Sequence, residues 1–263
     1  MPGRPIWYEL MTPDPAAVAP FYKAILGWNI EGQDTATPTG HPYYMIARDD
    51  GGFAGGMIVL TPEMQMSGGK AAWIPYFEVK GVEAAVEKAR GLGAQVWLPP
   101  MTMPQGTMAM LSDPQGAPFY LMDPVPPPGR PEAQSDVFKP KAPGHCWWNE
   151  LETTDEPGAT AFYAALFGWS AEQTMPMGEK GDYRFVEVGG TQIGAINPYM
   201  ADYMQLGWLP YFGVADIDVA KSAVESNGGT VYYEIHQVPG GDFIFAAADP
   251  AGAPVGFCGP RGA

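Results

Sequence analysis

Short segments with strand and helix periodicity alternate along the chain in a recurring order. Apolar and polar residues alternate over 6–11, a period of two that predicts a strand. Asp14-Pro15 then supplies a helix N-cap and a proline at the first helical position, and Gly27 ends the helix. Strands predicted near 43–47 and 57–60 complete a unit that begins with one strand and one helix.

The next segment repeats this order with different residues. Strand periodicity over 74–79 precedes a helical pattern, and three more strands are predicted near 95–98, 107–111 and 118–122. Pro20 inside the first helix is a local conflict, because proline lacks the N–H that an interior helical position donates. Four such βαβββ units account for the chain.

The two halves of the chain are duplicates. Residues 7–28 match residues 148–169 at 10 of 22 positions without a gap. Two later pairs of segments match in the same order, namely 73–77 with 208–212 and 113–118 with 249–254. Internal similarity at a fixed spacing indicates duplicated structural units.

A proline-rich segment separates the halves. Residues 123–144 contain seven prolines, including Pro126-Pro127-Pro128, which favours an extended and semi-rigid linker. We therefore predict a first domain over 1–123, a linker over 124–144 and a second domain over 145–263.

The charge balance excludes some partners. The 263 residues include 29 acidic and 14 basic side chains, and the net charge is −15. Nucleic acid and anionic membrane surfaces are bound by clustered cations, so we expect neither partner. Hydrophobic residues make up 46% and can bury a core, but no apolar run is long enough to predict a membrane span. We expect a cytoplasmic protein, and Cys146 and Cys258 are too few for a disulfide framework.

Several short motifs recur in both halves in the same order. They are Asp14, Phe21-Tyr22, Leu26-Gly27-Trp28 and Asp113-Pro114-Gln115-Gly116, repeated as Asp155, Phe162-Tyr163, Phe167-Gly168-Trp169 and Asp249-Pro250-Ala251-Gly252. With these motifs the chain resembles the vicinal oxygen chelate superfamily, which includes glyoxalase I, bleomycin-resistance proteins and extradiol dioxygenases. Within it, the chain looks most like bacterial proteins made of two tandem glyoxalase-like domains.

The resemblance implies a fold and an assembly. The expected fold class is α+β, with two tandem glyoxalase-like domains, each of paired βαβββ units whose curved sheets form an open barrel around a ligand cavity. Single-domain members of such families pair two chains to complete their barrels. Because this chain carries four units, we expect a monomer with internal pseudo-twofold symmetry.

The positions that hold metal ligands in metal-dependent members carry other residues here. The six matching positions are Trp7, Ile74, Tyr120, Trp148, Leu209 and Gly256, none of which is a usual ligand of a divalent metal. We therefore expect no cofactor, with a divalent metal as the alternative. A noncanonical site that uses His145 or His236 with a carboxylate stays open.

Glu9 and Glu150 are the candidate catalytic residues. Each lies two residues after the tryptophan at the first ligand position, so both side chains share the face of that tryptophan. The resemblance makes this the cavity face. A carboxylate in an apolar cavity has a raised pKa and can act as a general base or acid. The alternative is a structural carboxylate that accepts hydrogen bonds and holds the barrel in place.

Aromatic residues around these positions are candidate ligand contacts. Trp7 and Trp148 would form flat apolar walls, and Tyr76, Tyr211 and Tyr120 fall at or in phase with the mapped ligand positions. Packing in the core explains such residues as well.

We therefore expect a protein that binds a small apolar or aromatic molecule in a barrel cavity without the usual metal, with proton transfer by a glutamate as its chemistry. Two alternatives stay open. One is a metal-dependent lyase, isomerase or dioxygenase of the same superfamily. The other is a non-catalytic interaction protein that keeps the fold.

Overall fold

A computed structural model of the chain describes residues 2–36, 40–199 and 205–262. Four successive modules of strands and one main helix make up the fold. Module 1 contains β1 (Pro5–Thr12), α1 (Pro15–Leu26), β2 (Asn29–Ala36), β3 (Pro42–Ala47) and β4 (Phe53–Val59), and the short α2 (Pro62–Met66) follows it. Module 2 contains β5 (Ala72–Glu78), α3 (Val82–Gly91), β6 (Gln95–Met103), β7 (Gly106–Ser112) and β8 (Pro118–Pro124).

The second half of the chain repeats this order, with short strands directly after each helix. Module 3 contains β9 (Cys146–Thr153), α4 (Glu156–Phe167), β10 (Thr174–Pro176), a 3-10 turn (Gly178–Lys180), β11 (Asp182–Val188) and β12 (Thr191–Pro198). Module 4 contains β13 (Gly207–Gly213), α5 (Ile217–Ser226), β14 (Thr230–Val231), β15 (His236–Gln237), β16 (Phe243–Ala248) and β17 (Pro254–Gly259).

The strands form two open mixed sheets. The first has the order β2-β3-β4-β1-β5-β8-β7-β6, and the second has the order β10-β11-β12-β9-β13-β17-β16-β14, with β15 paired to β16. The first strand of each half runs parallel to the last strand of its own module, β1 beside β4 and β9 beside β12. The predicted α+β class is confirmed, and modules 1 to 3 have the βαβββ order. In module 4 the place of the first strand after the helix is taken by two short strands, β14 and β15, which both pair with β16.

The two compact units of the structure do not coincide with the two halves of the sequence repeat. Unit 1 comprises Met1–Ile6, Ile74–Ser135 and Asn149–Trp208, and unit 2 comprises Trp7–Trp73, Asp136–Trp148 and Leu209–Ala263. Each unit therefore combines one module from each half of the chain: modules 2 and 3 in unit 1, and modules 1 and 4 in unit 2. The predicted division into 1–123, 124–144 and 145–263 follows the duplicated sequence and stays a proposal.

Part of the proline-rich segment belongs to a core. Val137 is 2% exposed and packs in the hydrophobic cluster of unit 2, and Phe138 packs against the same cluster. Phe138 also forms an isolated bridge with Cys146 at the start of β9. At these residues the segment is anchored to unit 2.

A hydrogen-bond chain of tryptophan, tyrosine and aspartate joins the two modules of unit 2. Trp73 Nε1 donates to Tyr22 Oη at 2.8 Å, and Tyr22 Oη donates to Asp249 Oδ2 at 3.0 Å. Asp249 Oδ1 accepts the backbone N–H groups of Ala251 and Ala253. The Asp-Pro-x-Gly turn of module 4 is therefore tied to helix α1 of module 1.

Unit 1 contains the equivalent chain. Trp208 Nε1 donates to Tyr163 Oη at 3.2 Å, and Tyr163 Oη donates to Asp113 Oδ2 at 3.1 Å. Burial, the largest cause, raises the pKa of both Asp113 and Asp249 above the ordinary value. The recurring motifs of the sequence thus form the polar links within each unit.

The first helix of each half has the predicted ends. Asp14 caps α1 by accepting from Ala17 N at 3.0 Å, and Asp155 caps α4 by accepting from Gly158 N at 3.0 Å. Gly27 adopts a left-handed conformation at the C-terminal end of α1, with φ 69°, which glycine tolerates best. Across the described residues, no helix has both the length and the apolar character that a membrane crossing requires.

Candidate functional site

The two faces of strand β1 have different surroundings. Tyr8 and Leu10 are fully buried in the core of unit 2, together with Phe21 of α1. Because successive side chains of a strand point to opposite faces, Trp7 and Glu9 lie on the other face. Glu9 is only 3% exposed, although it does not share a face with the core residues.

Tyr43 of β3 connects Trp7 with Glu9. Trp7 Nε1 donates to Tyr43 Oη at 3.0 Å, and the Tyr43 hydroxyl donates to the Glu9 carboxylate. Burial, followed by the charge of Glu9, raises the pKa of Tyr43 well above the ordinary value, so Tyr43 stays a protonated donor. A Cβ at Gly56, opposite Glu9 in the sheet, would lie 1.9 Å from Tyr43 Oη. A side chain at position 56 would therefore displace the Tyr43 hydroxyl from where it lies in module 1.

The second half of the chain repeats the tyrosine–glutamate pair in unit 1. Tyr183 Oη of β11 donates to Glu150 Oε2 at 2.7 Å, and Glu150 is 8% exposed. The register is the same in both copies: Glu150 pairs with Ala195 on β12 where Glu9 pairs with Gly56 on β4. Both predicted glutamates thus accept a tyrosine hydroxyl at equivalent positions.

Tyr76 and Tyr120 lie side by side in unit 1. They are directly opposite each other on the parallel strands β5 and β8, and their rings stack with centroids 4.0 Å apart and an angle of 10°. Tyr76 Oη donates to Met108 Sδ at 3.8 Å. Two of the predicted ligand contacts therefore form one flat aromatic pair, 4% and 3% exposed.

Tyr211 occupies the matching position in unit 2 with a different partner. It pairs with Gly256 on β17, and a Cβ at Gly256 would lie 2.3 Å from the Tyr211 ring. The Tyr211 and Tyr233 hydroxyls are 3.0 Å apart. In unit 1, Tyr76 stacks on Tyr120. In unit 2, the Tyr211 ring lies over Gly256 instead.

The structure brings the predicted site residues together in part. Trp7 and Glu9 share one hydrogen-bond chain, and Tyr76 and Tyr120 share one stack. Trp148 is partly buried in unit 2. Tyr43 and Tyr183 were not among the candidates from the sequence. Both lie in the second strand after the helix of their module, β3 and β11, where Tyr43-Tyr44 and Tyr183-Arg184 match by position.

The six positions that carry metal ligands in metal-dependent relatives do not fit a metal ion. Trp7 presents an N–H that is already donated to Tyr43, the Tyr120 ring is stacked on Tyr76, and Gly256 is covered by the ring of Tyr211. None of these groups offers the imidazole or carboxylate atoms that bind divalent metals.

His145 belongs to a charged cluster in unit 2. Its Nε2 lies 3.6 Å from Asp50 Oδ2 and 3.6 Å from Asp136 Oδ2, and Arg48 Nη2 lies 2.7 Å from Asp136 Oδ2. The N–H of Gly52 and the side chain of Arg48 hold the pKa of Asp50 below the ordinary value. His145 therefore lies near two carboxylates. The noncanonical metal site left open by the sequence needs such a combination.

The other reactive residues have less distinctive surroundings. His236 is exposed, and its Nδ1 lies 3.4 Å from its neighbour Glu234 O. Cys146 and Cys258 are buried thiols that form no disulfide with any described residue, and burial raises the pKa of Cys146 to about 12. A thiol that stays protonated at neutral pH is a poor nucleophile.

Family comparisons agree with the duplicated architecture. Residues 7–122 match a glyoxalase-like domain, and residues 150–257 match the glyoxalase/bleomycin resistance protein/dioxygenase superfamily. The chain belongs to the vicinal oxygen chelate superfamily. The resemblance and the tandem arrangement of two glyoxalase-like domains are confirmed.

Similar proteins cover most of the chain. The anthracycline biosynthesis protein DauV of Streptomyces sp. (strain C5) is 28% identical over 264 residues, which cover 91% of this chain and 87% of DauV. The 2,3-dioxygenase LapB from Pseudomonas sp. KL28 aligns with a TM-score of 0.63 at 14% identity, covering 100% of this chain and 94% of LapB. A Mn(II)-bound glyoxalase from Novosphingobium aromaticivorans aligns with a TM-score of 0.66 at 12% identity, covering 100% and 84%. At these identities the two structures show a shared fold.

Proposed function

We propose that this superfamily member binds a small, largely apolar aromatic molecule and that Glu9 or Glu150 transfers a proton to or from it. The observation that carries the proposal is the repeated tyrosine–glutamate hydrogen bond at the same register in modules 1 and 3. Duplicated halves have diverged at most positions, yet both keep this pair.

The geometry of each pair suits proton transfer. A carboxylate has about four lone-pair sites, so it can accept the tyrosine hydroxyl and a ligand proton at the same time. Glu9 and Glu150 are 3% and 8% exposed, so a ligand that displaces the remaining water would meet a desolvated base. The tyrosine orients the carboxylate and stabilises its charge between transfers.

The ligand class follows from the aromatic residues and from one relative. Trp7 on β1 and the Tyr76–Tyr120 stack offer flat apolar surfaces, each in its own unit. DauV is named for anthracycline biosynthesis, a route to fused-ring aromatic compounds. We therefore propose a fused-ring aromatic ligand with an acidic C–H or O–H group. Because the usual ligand positions do not fit a metal, no step is assigned to one.

Anthrone is a suitable probe, because it is a fused-ring compound with an acidic CH₂ group. Binding is measured by calorimetry, and proton transfer is measured by NMR as deuterium uptake from D₂O into that CH₂ group. We expect the native protein to bind anthrone and to accelerate the exchange. E9Q or E150Q should slow the exchange by about 100-fold or more, while the amide oxygen still accepts the tyrosine hydroxyl and the protein stays folded.

Matched controls separate this outcome from the alternatives. E63Q changes an exposed glutamate of α2 and should leave binding and exchange unchanged. Y43F and Y183F remove only the hydroxyl and should give smaller losses than the glutamate variants. Binding without exchange would show a carrier or a sequestering protein. If anthrone and related fused-ring compounds neither bind nor exchange, the proposal is wrong.

A further inference from the structure

A polar cluster of unit 2 lies apart from the glutamate pairs and has the composition of a metal site. Asp50 belongs to the turn between β3 and β4, and Asp136 and His145 belong to the segment that precedes β9. One ligand atom from each of the three lies within 4.8 Å of the others. We propose that Asp50, Asp136 and His145 bind one divalent transition-metal ion, with Zn²⁺ as the preferred ion. The inference does not depend on the proposed function.

The orientation of His145 is the strongest support. Its Nδ1 lies 3.0 Å from the carbonyl oxygen of Pro143, which assigns the N–H to Nδ1 and leaves a lone pair on Nε2. The side chain is 4% exposed, and within the described part of the chain Nε2 has no hydrogen-bond partner. Histidine ligands of metals are held in this way, by a bond from the other ring nitrogen to a carbonyl.

The distances from His145 Nε2 to the two carboxylate oxygens fit a coordination sphere. His145 Nε2 is 3.6 Å from Asp50 Oδ2 and from Asp136 Oδ2, which is too long for a hydrogen bond. Ligands at 2.0–2.2 Å around tetrahedral zinc lie about 3.3 to 3.6 Å from one another. The side chains of Asp50 and Asp136 are 51% and 56% exposed, so an ion could enter from solvent.

Arg48 sets the expected strength of the site. Its side chain is 3% exposed, and its Nη2 donates to both proposed ligand oxygens, Asp136 Oδ2 at 2.7 Å and Asp50 Oδ2 at 3.2 Å. Its Nε donates to the other oxygen of Asp50 at 3.1 Å. A bound ion would therefore share the two carboxylates with the guanidinium. Hydrogen bonds of this kind orient ligating carboxylates. The guanidinium charge also repels a bound cation, so we expect weaker binding than at a structural site with four anionic or neutral ligands and no nearby cation.

The cluster is not a requirement of the fold. In the duplicated segment at the N-terminus, Gly3-Arg4 replaces Gly144-His145, and the matching hairpin turn in module 3 is Gly189-Gly190. Unit 1 therefore forms the same module pair without a histidine or a carboxylate at these places.

Calorimetric titration of the chelator-treated full-length protein with ZnCl₂ tests the proposal. We expect saturation at one Zn²⁺ per chain and a rise in melting temperature of about 3 °C or more at saturating zinc, because the ion binds only the folded site. H145Q and D136N should weaken the binding by at least about 10-fold. D136N changes a half-exposed residue with little change of shape, so it remains informative if H145Q fails to fold.

The control variant is H236A, which removes an exposed histidine of the same unit and should bind zinc like the native protein. Native protein that shows no saturable binding at about 100 µM Zn²⁺ would overturn the proposal. So would D136N and H145Q proteins that bind as tightly as the native protein. Anthrone binding should be the same with and without zinc, so the two proposals can fail separately.

Discussion

The hydroxyl of Tyr22 shows how single residues connect modules that are distant in sequence. It accepts a hydrogen bond from Trp73 and donates one to Asp249, and all three residues are at most 3% exposed. A buried group that loses its partner keeps the full cost of its desolvation. Removal of the Tyr22 hydroxyl would leave two buried polar groups without this partner, so the hydroxyl contributes strongly to stability.

We expect Y22F to lower the free energy of unfolding by about 2 kcal/mol or more at pH 7, because Trp73 Nε1 and Asp249 Oδ2 each lose a partner. Burial, and then the charge of Asp249, raise the pKa of Tyr22 well above the ordinary value. Tyr22 contributes its full stabilisation below about pH 10, the ordinary pKa that it has in the unfolded chain. This contribution falls as the pH rises towards the higher pKa of Tyr22 in the folded protein, because Tyr22 of the unfolded chain loses its proton first.

Urea unfolding at pH 7 and at pH 10.5 to 11 measures both effects. The difference between native and Y22F protein should shrink at the higher pH. Y44F, which changes a partly buried neighbour on β3, is the control and should show little change in this difference. An equal loss for Y22F at both pH values would contradict the assigned pKa shift.

Helix α1 forms in spite of Pro20. The helix runs from Pro15 to Leu26 and is fixed at its ends by the Asp14 cap and by Gly27. Phe21 and Tyr22 are fully buried, so packing of one face compensates for the missing N–H of the proline. Pro20 conflicts with the helical pattern of the sequence, and the burial of the helix face resolves this conflict.

We expect P20A to raise the free energy of unfolding by about 1 to 3 kcal/mol, because alanine restores the helical N–H and removes the ring clash. Pro20 is exposed, so no packing is lost. Helix α4 carries Ala161 at the matching position, and A161P is the reciprocal variant. A161P should lower the free energy of unfolding by at least about 3 kcal/mol. Urea unfolding of both variants measures these changes. A stable A161P protein would show that these helices do not depend on the interior bond.

Each compact unit draws one module from each half of the same chain. The bonds from Tyr22 to Asp249 and from Tyr163 to Asp113 span 227 and 50 residues, and each lies within one unit. The pairing of modules is therefore completed inside the chain. A second chain is not needed to supply a partner for either unit.

We expect a monomer in solution for this reason. Sedimentation equilibrium should give a mass near 28.2 kDa, and the melting temperature should not depend on protein concentration. Exchange of modules between two chains would make the same bonds and would appear as a stable dimer. An obligate dimer that separates only on unfolding would contradict the prediction.

The sequence alone determined most elements of the first half, the duplication and the superfamily. Periodicity located β1, β3 to β8 and the helices α1 and α3, although β2 was not predicted. Asp14 and Gly27 marked the ends of α1, because such signals depend on neighbours along the chain. The sequence also predicted that Glu9 and Glu150 share a face with the preceding tryptophans, since alternation along one strand defines which side chains share a face. Their catalytic role stays a proposal.

Only the tertiary structure decided which residues meet across strands and modules. Tyr43 reaches Glu9 through the register of β3, β4 and β1, and His145 meets Asp50 across 95 positions of the chain. The grouping of module 1 with module 4 likewise depends on long-range packing. Such contacts are set by register and burial, which no local pattern of residues specifies.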